Sequence, residues 1–475
     1  MTGFFGHPRG LATLFLTELW ERFSYYGIRA LLILFMTAPA ATGGLGFDVP
    51  RASAIYGLFT AMVYMLSLPG GWVADRLLGL RKAVVYGGVL IAAGNFVLVA
   101  PQLWSFYLGL ALIAVGTGLL KPNVSTIVGQ LYEPGDGRRD AGFSIFYMGI
   151  NLGAFLSPLA CGYLGQRVDW RLGFLLAGIG MTLGLVQFVA GRKHLGSAGI
   201  APAAADPQAA SRIGIGLGVV AAVLLGAWAA GLTVQALSNA LGVLLLVTAL
   251  AFFFWLLFLG QWTPQERKRL VVVGVLFLAS SLFWSLFEQA GSTLNLFADR
   301  NTRHSVLGWP FPASWLQSVN ALFIITLAPV LAWIWVKLGK REPSSPAKFV
   351  LGLGGAGLGY VVLAAAATAS AGAEPVSPMW LVAVYLLHTV GELCLSPVGL
   401  SAMTKLAPAR IGGLLMGVWF LSISAGNYLG ARMASLYETL SLPTLFTAVG
   451  GIGIGAGLLL LVLVKPIRSL MGDVK

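Results

Sequence analysis

The chain has 475 residues, 57% of them hydrophobic and 10% charged, and a mean hydropathy of +0.85. A soluble globular chain carries about 25% charged residues, so composition excludes that class and leaves a polytopic membrane protein. The net charge of +13 does not argue for nucleic acid, because most Lys and Arg fall in short alternating loops, the pattern of membrane orientation.

The first apolar run, read as a span over 11–35, contains Glu18, Glu21, Arg22 and Arg29. Ionised groups near a bilayer centre cost several kcal/mol. They persist where they line an aqueous cavity, pair with each other, or carry a substrate or proton. With ~3.6 residues per turn, Glu18, Glu21 and Arg22 share one helix face, and Arg29 lies about three turns beyond Glu18 on nearly the same stripe. Tyr25 and Tyr26 fall between them. That is more than a structural helix needs.

Further apolar runs of about 20 residues predict spans at 53–74, 82–100, 103–129, 139–163, 170–191, 213–232, 238–260, 269–289, 314–337, 348–369, 379–401, 410–437 and 445–465. With the first run that makes about fourteen. Some twenty-one of the 30 basic residues fall on one side of this arrangement and about five on the other, Arg51, Arg167, Arg171, Arg300 and Arg303. The bias puts both termini in the cytoplasm. The stretch 195–211, rich in Ala, Pro and Gly, reads as a flexible linker. The two spans after it carry no charge and read as accessory and lipid-facing. The expected organisation is a six-helix bundle over 1–194, a linker with two accessory helices over 195–265, and a second six-helix bundle over 266–475. Twelve core helices in two halves is a common transporter layout.

Between the second and third spans the sequence reads Gly71-Trp72-Val73-Ala74-Asp75-Arg76-Leu77-Leu78-Gly79-Leu80-Arg81-Lys82. This resembles the loop signature of the major facilitator superfamily, G-x-x-x-D-R-x-x-G-x-[RK]-[RK]. Gly79 would permit the tight turn, and the basic pair would anchor the cytoplasmic face. Four strings narrow the resemblance: Glu18-Leu19-Trp20-Glu21-Arg22-Phe23-Ser24-Tyr25-Tyr26-Gly27, Phe146-Tyr147-Met148-Gly149-Ile150-Asn151-Leu152-Gly153, Phe283-Trp284-Ser285-Leu286-Phe287-Glu288-Gln289 and Gly391-Glu392-Leu393-Cys394-Leu395-Ser396-Pro397. Together they resemble the proton-dependent oligopeptide transporter family, in its bacterial type. The resemblance implies an all-α membrane protein of the major facilitator fold. It also implies a proton-coupled symporter that imports di- and tripeptides across the bacterial inner membrane by alternating access.

The ionisable residues placed well inside spans are Glu18, Glu21, Arg22, Arg29, Lys121, Glu288 and Glu392. If all are charged, four acids against three bases leave about −1, and one bound proton or cation would neutralise the cavity. Arg29 and Lys121 would suit a peptide carboxylate, which Arg can hold through two parallel hydrogen bonds. Glu392 would suit the α-ammonium, while Asn151, Asn320 and Tyr64 could satisfy amide groups. The resemblance implies these binding roles, and implies proton coupling for Glu18, Glu21, Arg22 and Glu288. Arg29–Glu288 and Lys121–Glu392 are the expected gate salt bridges. Tyr25, Tyr26, Tyr64, Tyr147, Trp284, Phe287 and Trp419 are candidate pocket walls, since aromatic faces tolerate varied side chains.

Of four histidines only His388 lies in a span, and it reads as packed and neutral. Cys161 and Cys394 lie in separate apolar segments and suggest neither a disulfide nor a metal site. The chain has no P-loop and no G-x-S-x-G or H-E-x-x-H constellation, so neither ATP-driven transport nor hydrolysis is expected, and it is not read as an enzyme. No cofactor is expected beyond protons as coupling ion, and a monomer is the expected state. The alternatives are a carrier of the same fold for nitrate, an amino acid or a drug, or a peptide sensor that does not transport.

Overall fold

The computed structural model describes residues 2–133, 135–200, 208, 211, 231, 233–371, 374–408 and 411–472. A short antiparallel hairpin, β1 (Thr2–Phe4) and β2 (His7–Pro8), leads into α1 (Arg9–Thr37). The helices α2 (Val49–Met65), α3 (Ser67–Val73), α4 (Leu80–Leu98), α5 (Leu103–Gln130), α6 (Arg139–Arg167) and α7 (Trp170–Gly191) follow. After residue 233 come α8 (Val234–Phe254), α9 (Pro264–Phe287) and α10 (Thr293–Asn301). A second hairpin, β3 (Ser305–Val306) and β4 (Trp309–Pro310), separates these from α11 (Ser318–Leu338), α12 (Ser345–Ser370), α13 (Met379–Leu406), α14 (Gly412–Ala434) and α15 (Leu442–Met471).

Among the described residues, 12 helical stretches are long and apolar enough to cross a membrane by length and composition. α1 is not one of them, because Arg9, Glu18, Glu21, Arg22 and Arg29 leave no sufficiently uncharged stretch along its 29 residues. At ~1.5 Å per residue it is still longer than the ~30 Å hydrocarbon core. The expected span 213–232 lies outside the described residues, apart from Gly231.

The span expected over 53–74 runs from Val49 to Leu78, with one break inside it. Pro69 offers no N–H to the Met65 carbonyl and its ring crowds that oxygen, so α2 stops at Met65. A π-helical turn over Ala74–Leu78 ends the span. Gly79 then turns the chain with φ +76°, the left-handed conformation the loop signature anticipates.

Contacts divide the chain into two compact units: Met1–Leu31 with Met62–Leu237, and Leu32–Ala61 with Ser238–Lys475. The division does not follow chain order, because residues 32–61 group with the second unit.

In the first unit α4 packs along α5 and α7, α3 on α5, and α6 on α7. Glycines bring backbones close: a side chain at Gly87 would meet Gly116 O at 2.6 Å, and one at Gly94 would meet Gly109 O at 2.7 Å. The seven-residue spacing on both helices is a small-residue seam of the kind that drives packing in lipid. The stretch expected to be a flexible linker from residue 195 begins as a fixed strap. Leu195 and Ala198 are buried, Arg81 donates to Gly196 O and Ala198 O at 2.6 Å each, and Gly199 N donates to Gln130 Oε1 at 2.7 Å. Charged and amide side chains thus satisfy a backbone that composition alone reads as loose.

In the second unit α12 packs against α13 and α15, and α9 against α14. Residues 49–61 of α2 belong here. Gly57 faces Ala431 so closely that any side chain at 57 would collide with it, and Ser424 Oγ donates to Ala61 O at 2.9 Å. Glu438 accepts from Arg300 Nη1 at 2.8 Å and from the Val49 amide, at the start of α2, at 3.4 Å.

Candidate functional site

In the first unit the ionisable face of α1 forms as the helical spacing requires. Arg22 donates from Nη2 to Glu21 Oε1 at 2.7 Å and from Nε to Glu21 Oε2, and Nε lies 3.3 Å from Glu18 Oε1. All three are buried, at 1–3% exposure. The other oxygen of Glu18 is buried with no hydrogen-bond partner among the described residues. Two carboxylates therefore surround one guanidinium inside a membrane span.

Aromatic rings stand beside Arg22, Arg29 and Lys121. The Arg22 guanidinium lies 5.1 Å from the Tyr25 ring, Arg29 lies 5.6 Å from Tyr26, and Lys121 Nζ lies 4.0 Å from the Tyr64 ring centre. Tyr25 and Tyr26 meet edge to face at 5.3 Å. Ring faces carry negative potential and attract such cations, by about 2 kcal/mol or more when desolvated.

The motif glycine Gly153 explains how α6 reaches this face. A side chain there would collide with Leu19 O and meet Arg22 Cβ at 3.0 Å, so only glycine lets α6 lie against the turn that carries Arg22. Two residues earlier, buried Asn151 donates to Tyr147 O at 3.0 Å, and Tyr147 is exposed. In α5, Pro122 leaves Gly118 O without its helical donor. Gly70 of α3 packs on that oxygen, where any side chain would clash. Lys121 therefore sits on a helix turn whose backbone is opened and then covered.

In the second unit Glu288 marks a break. α9 ends at Phe287, a 3-10 turn covers Glu288–Gly291, and α10 resumes at Thr293. The span expected over 269–289 continues as a helical stretch to Asn301. Buried Glu288 thus stands where the backbone leaves α-helical geometry. Trp284 and Phe287 are buried beside it, with ring centres 5.5 Å apart. Trp284 rests over Gly426, and Trp419 rests over Gly399, whose missing side chain leaves room for the indole.

Glu392 is buried on α13 and accepts from Asn320 Nδ2 of α11 at 3.3 Å. The same Asn320 nitrogen donates to Thr389 Oγ1 at 2.9 Å. Asn320, read from sequence as a partner for substrate amides, is therefore also a partner of Glu392. Thr389 was not singled out from sequence. Its signal was its place one turn before Glu392 on the same helix face. His388 is buried, with Nε2 3.2 Å from Ala356 O, so Nε2–H donates to the carbonyl.

A model of the POT family matches residues 81–447. An uncharacterized transporter, YclF, of Bacillus subtilis (strain 168) is 44% identical over 99% of this chain and 96% of its own. A di-/tripeptide transporter of Lactococcus lactis subsp. cremoris is 39% identical over 99% of this chain and 98% of its own. The crystal structure of a peptide transporter POT in complex with sulfate superposes with a TM-score of 0.94 at 47% identity, covering 99% of this chain and 97% of that one. The all-α membrane architecture and the major facilitator fold follow from these likenesses together with the helices described above, and the 12 stretches found among the described residues, with α1, are roughly consistent with the expected fourteen spans. The chain belongs to the POT family of transporters.

Proposed function

We propose that this protein is a proton-coupled symporter that imports di- and tripeptides by alternating access. The observation that carries the reading is the cluster of Glu18, Arg22 and Glu21: two buried carboxylates, one guanidinium and a Glu18 oxygen with no hydrogen-bond partner among the described residues. Buried carboxylates in a low-dielectric site are costly to keep ionised, and a bound proton removes that cost. The name of the Lactococcus relative supports di- and tripeptides as substrate.

In this reading Glu18, Glu21, Arg22 and Glu288 carry the coupling proton. Arg29 and Lys121 take the peptide carboxylate, Glu392 takes the α-ammonium, and Tyr64, Asn151 and Asn320 serve the amides. Tyr25, Tyr26, Tyr147, Trp284, Phe287 and Trp419 wall the pocket. The pairs Arg29–Glu288 and Lys121–Glu392 form and break in turn as proton and peptide arrive. Residues 1–194 and 266–475 act as the two halves, with 195–265 as an accessory segment. The protein works as a monomer in the bacterial inner membrane with both termini in the cytoplasm, driven by ~2.3 kcal/mol per charge per 100 mV plus the pH difference.

The test is uptake of labelled dialanine into proteoliposomes with and without an inward proton gradient. Accumulation above equilibrium, abolished by a protonophore and competed by unlabelled di- and tripeptides, is the expected result. Folded protein that takes up no peptide under a gradient overturns the reading, and the same vesicles would then be offered nitrate and cationic drugs.

A further inference from the structure

The hydrogen-bond directions around Glu392 fix more than distances do. Thr389 Oγ1 donates to Tyr385 O at 2.7 Å, and a carbonyl can only accept. The hydroxyl proton of Thr389 is thereby committed, so what Oγ1 offers Asn320 at 2.9 Å is a lone pair. An ionised Glu392 likewise only accepts, at 3.3 Å from the same Asn320 nitrogen. Both neighbours demand the NH2 end of the Asn320 amide, and Oδ1 is engaged by neither. The opposite orientation would set the amide oxygen against two acceptors. Thr389 is fully buried, so no water competes for this arrangement.

We infer that Thr389 is a positioning residue for the substrate's amino terminus. It locks the Asn320 amide so that Oδ1 and the Glu392 carboxylate together form a pair of acceptors. This rests on the reading that Glu392 receives the α-ammonium. A primary ammonium carries three N–H donors and no acceptor, so it can serve both oxygens at once. An acylated amine carries one N–H and no charge, and can serve only one. With the amide flipped, an NH2 group would confront the ammonium and the discrimination would fall. Thr389 thus sets selectivity for a free amino terminus without touching it.

The experiment measures inhibition of labelled dialanine uptake by unlabelled dialanine and by N-acetyl-dialanine, in proteoliposomes at one pH. The proteins are the native chain, T389V, T389S and E392Q. T389V keeps the shape and removes the hydroxyl. It is expected to weaken dialanine about tenfold, the order of a lost hydrogen bond to a charged group, while N-acetyl-dialanine changes by less than about twofold. T389S keeps the hydroxyl and should retain the native ratio. If T389V weakens both compounds equally, or leaves their ratio native while E392Q collapses it, Thr389 is a packing residue and the inference is wrong. If E392Q leaves the ratio native, the assignment of Glu392 to the ammonium fails first, and the role of Thr389 with it. Should T389V not be recovered folded, T389A removes the same hydroxyl without adding a methyl group and is expected to lower the preference for dialanine over N-acetyl-dialanine in the same way.

Discussion

Arg22 lies between two carboxylates of its own helix, Glu21 beside it and Glu18 at 3.3 Å, and the three are at most 3% exposed. A buried ion cluster is poor engineering for stability, since apolar replacements of buried ion pairs are often neutral or stabilising. The cluster is better explained by what it can bind.

Glu21→Gln should therefore abolish gradient-driven uptake while sparing peptide counterflow, which needs binding and reorientation but no net proton movement. Arg22→Gln should do the same, at a larger cost in stability, because it leaves two carboxylates without their cation; breaking a buried pair costs about 3–5 kcal/mol. The check is the ratio of driven uptake to counterflow in the same vesicles. Equal loss of both would mark a binding or folding defect.

Lys121 Nζ stands 4.0 Å from the Tyr64 ring centre, and the ring face rather than the hydroxyl makes that contact. Tyr64→Phe should leave the KM for dialanine within about twofold, whereas Tyr64→Leu should raise it several-fold, in keeping with about 1 kcal/mol for a partly buried cation–π contact. Initial rates of counterflow over a range of dialanine concentrations measure both. A Phe variant as impaired as the Leu variant would assign the role to the hydroxyl instead.

Much of this site was legible because its residues violate the rule of their surroundings. Charges in apolar runs announce themselves, and the helical period then places Glu18, Glu21 and Arg22 on one face. The glycine of the Phe146–Gly153 string was legible as a motif, but only the fold shows that it admits Leu19 O and the turn of Arg22. The break at Glu288 was not legible: Phe287-Glu288-Gln289-Ala290 contains no proline, and its only local cue is Gly291. Nor was the grouping of residues 32–61 with the second unit, because Ser424 and Ala61 are 363 positions apart and no local pattern couples them. The strap at 195–200 was misread for the same reason. Its order comes from Arg81 and Gln130, far away in sequence.

Arg81 supplies two of the three side-chain hydrogen bonds named for that strap, to Gly196 O and Ala198 O at 2.6 Å each. A lysine has a single nitrogen and cannot reproduce the fork. Arg81→Lys and Arg81→Gln should therefore free the segment, and trypsin cleavage after Arg192 and Lys193 in detergent should speed up, with little change in melting temperature. Cleavage as slow as in the native protein would show that burial of Leu195 and Ala198 holds the strap unaided.

Gly57 of α2 faces Ala431 of α14 with no room for a side chain. Nearby, Ser53 is fully buried and Ser424 Oγ donates to Ala61 O at 2.9 Å. Residues 49–61 of α2 therefore pack on α14 by backbone approach within the second unit, and a larger residue at 57 must push the two helices apart. Gly57→Leu should expose Ser53, read by a membrane-impermeant thiol reagent on a Ser53→Cys reporter; the native Cys161 and Cys394 are buried. Labelling should be fast in the Gly57→Leu background and slow with Gly57 intact. Gradient-driven uptake should fall toward the level of empty liposomes, because α2, which also carries Tyr64, is displaced. Gly57→Leu protein that still labels slowly and transports at the native rate would show that the close approach is dispensable for transport.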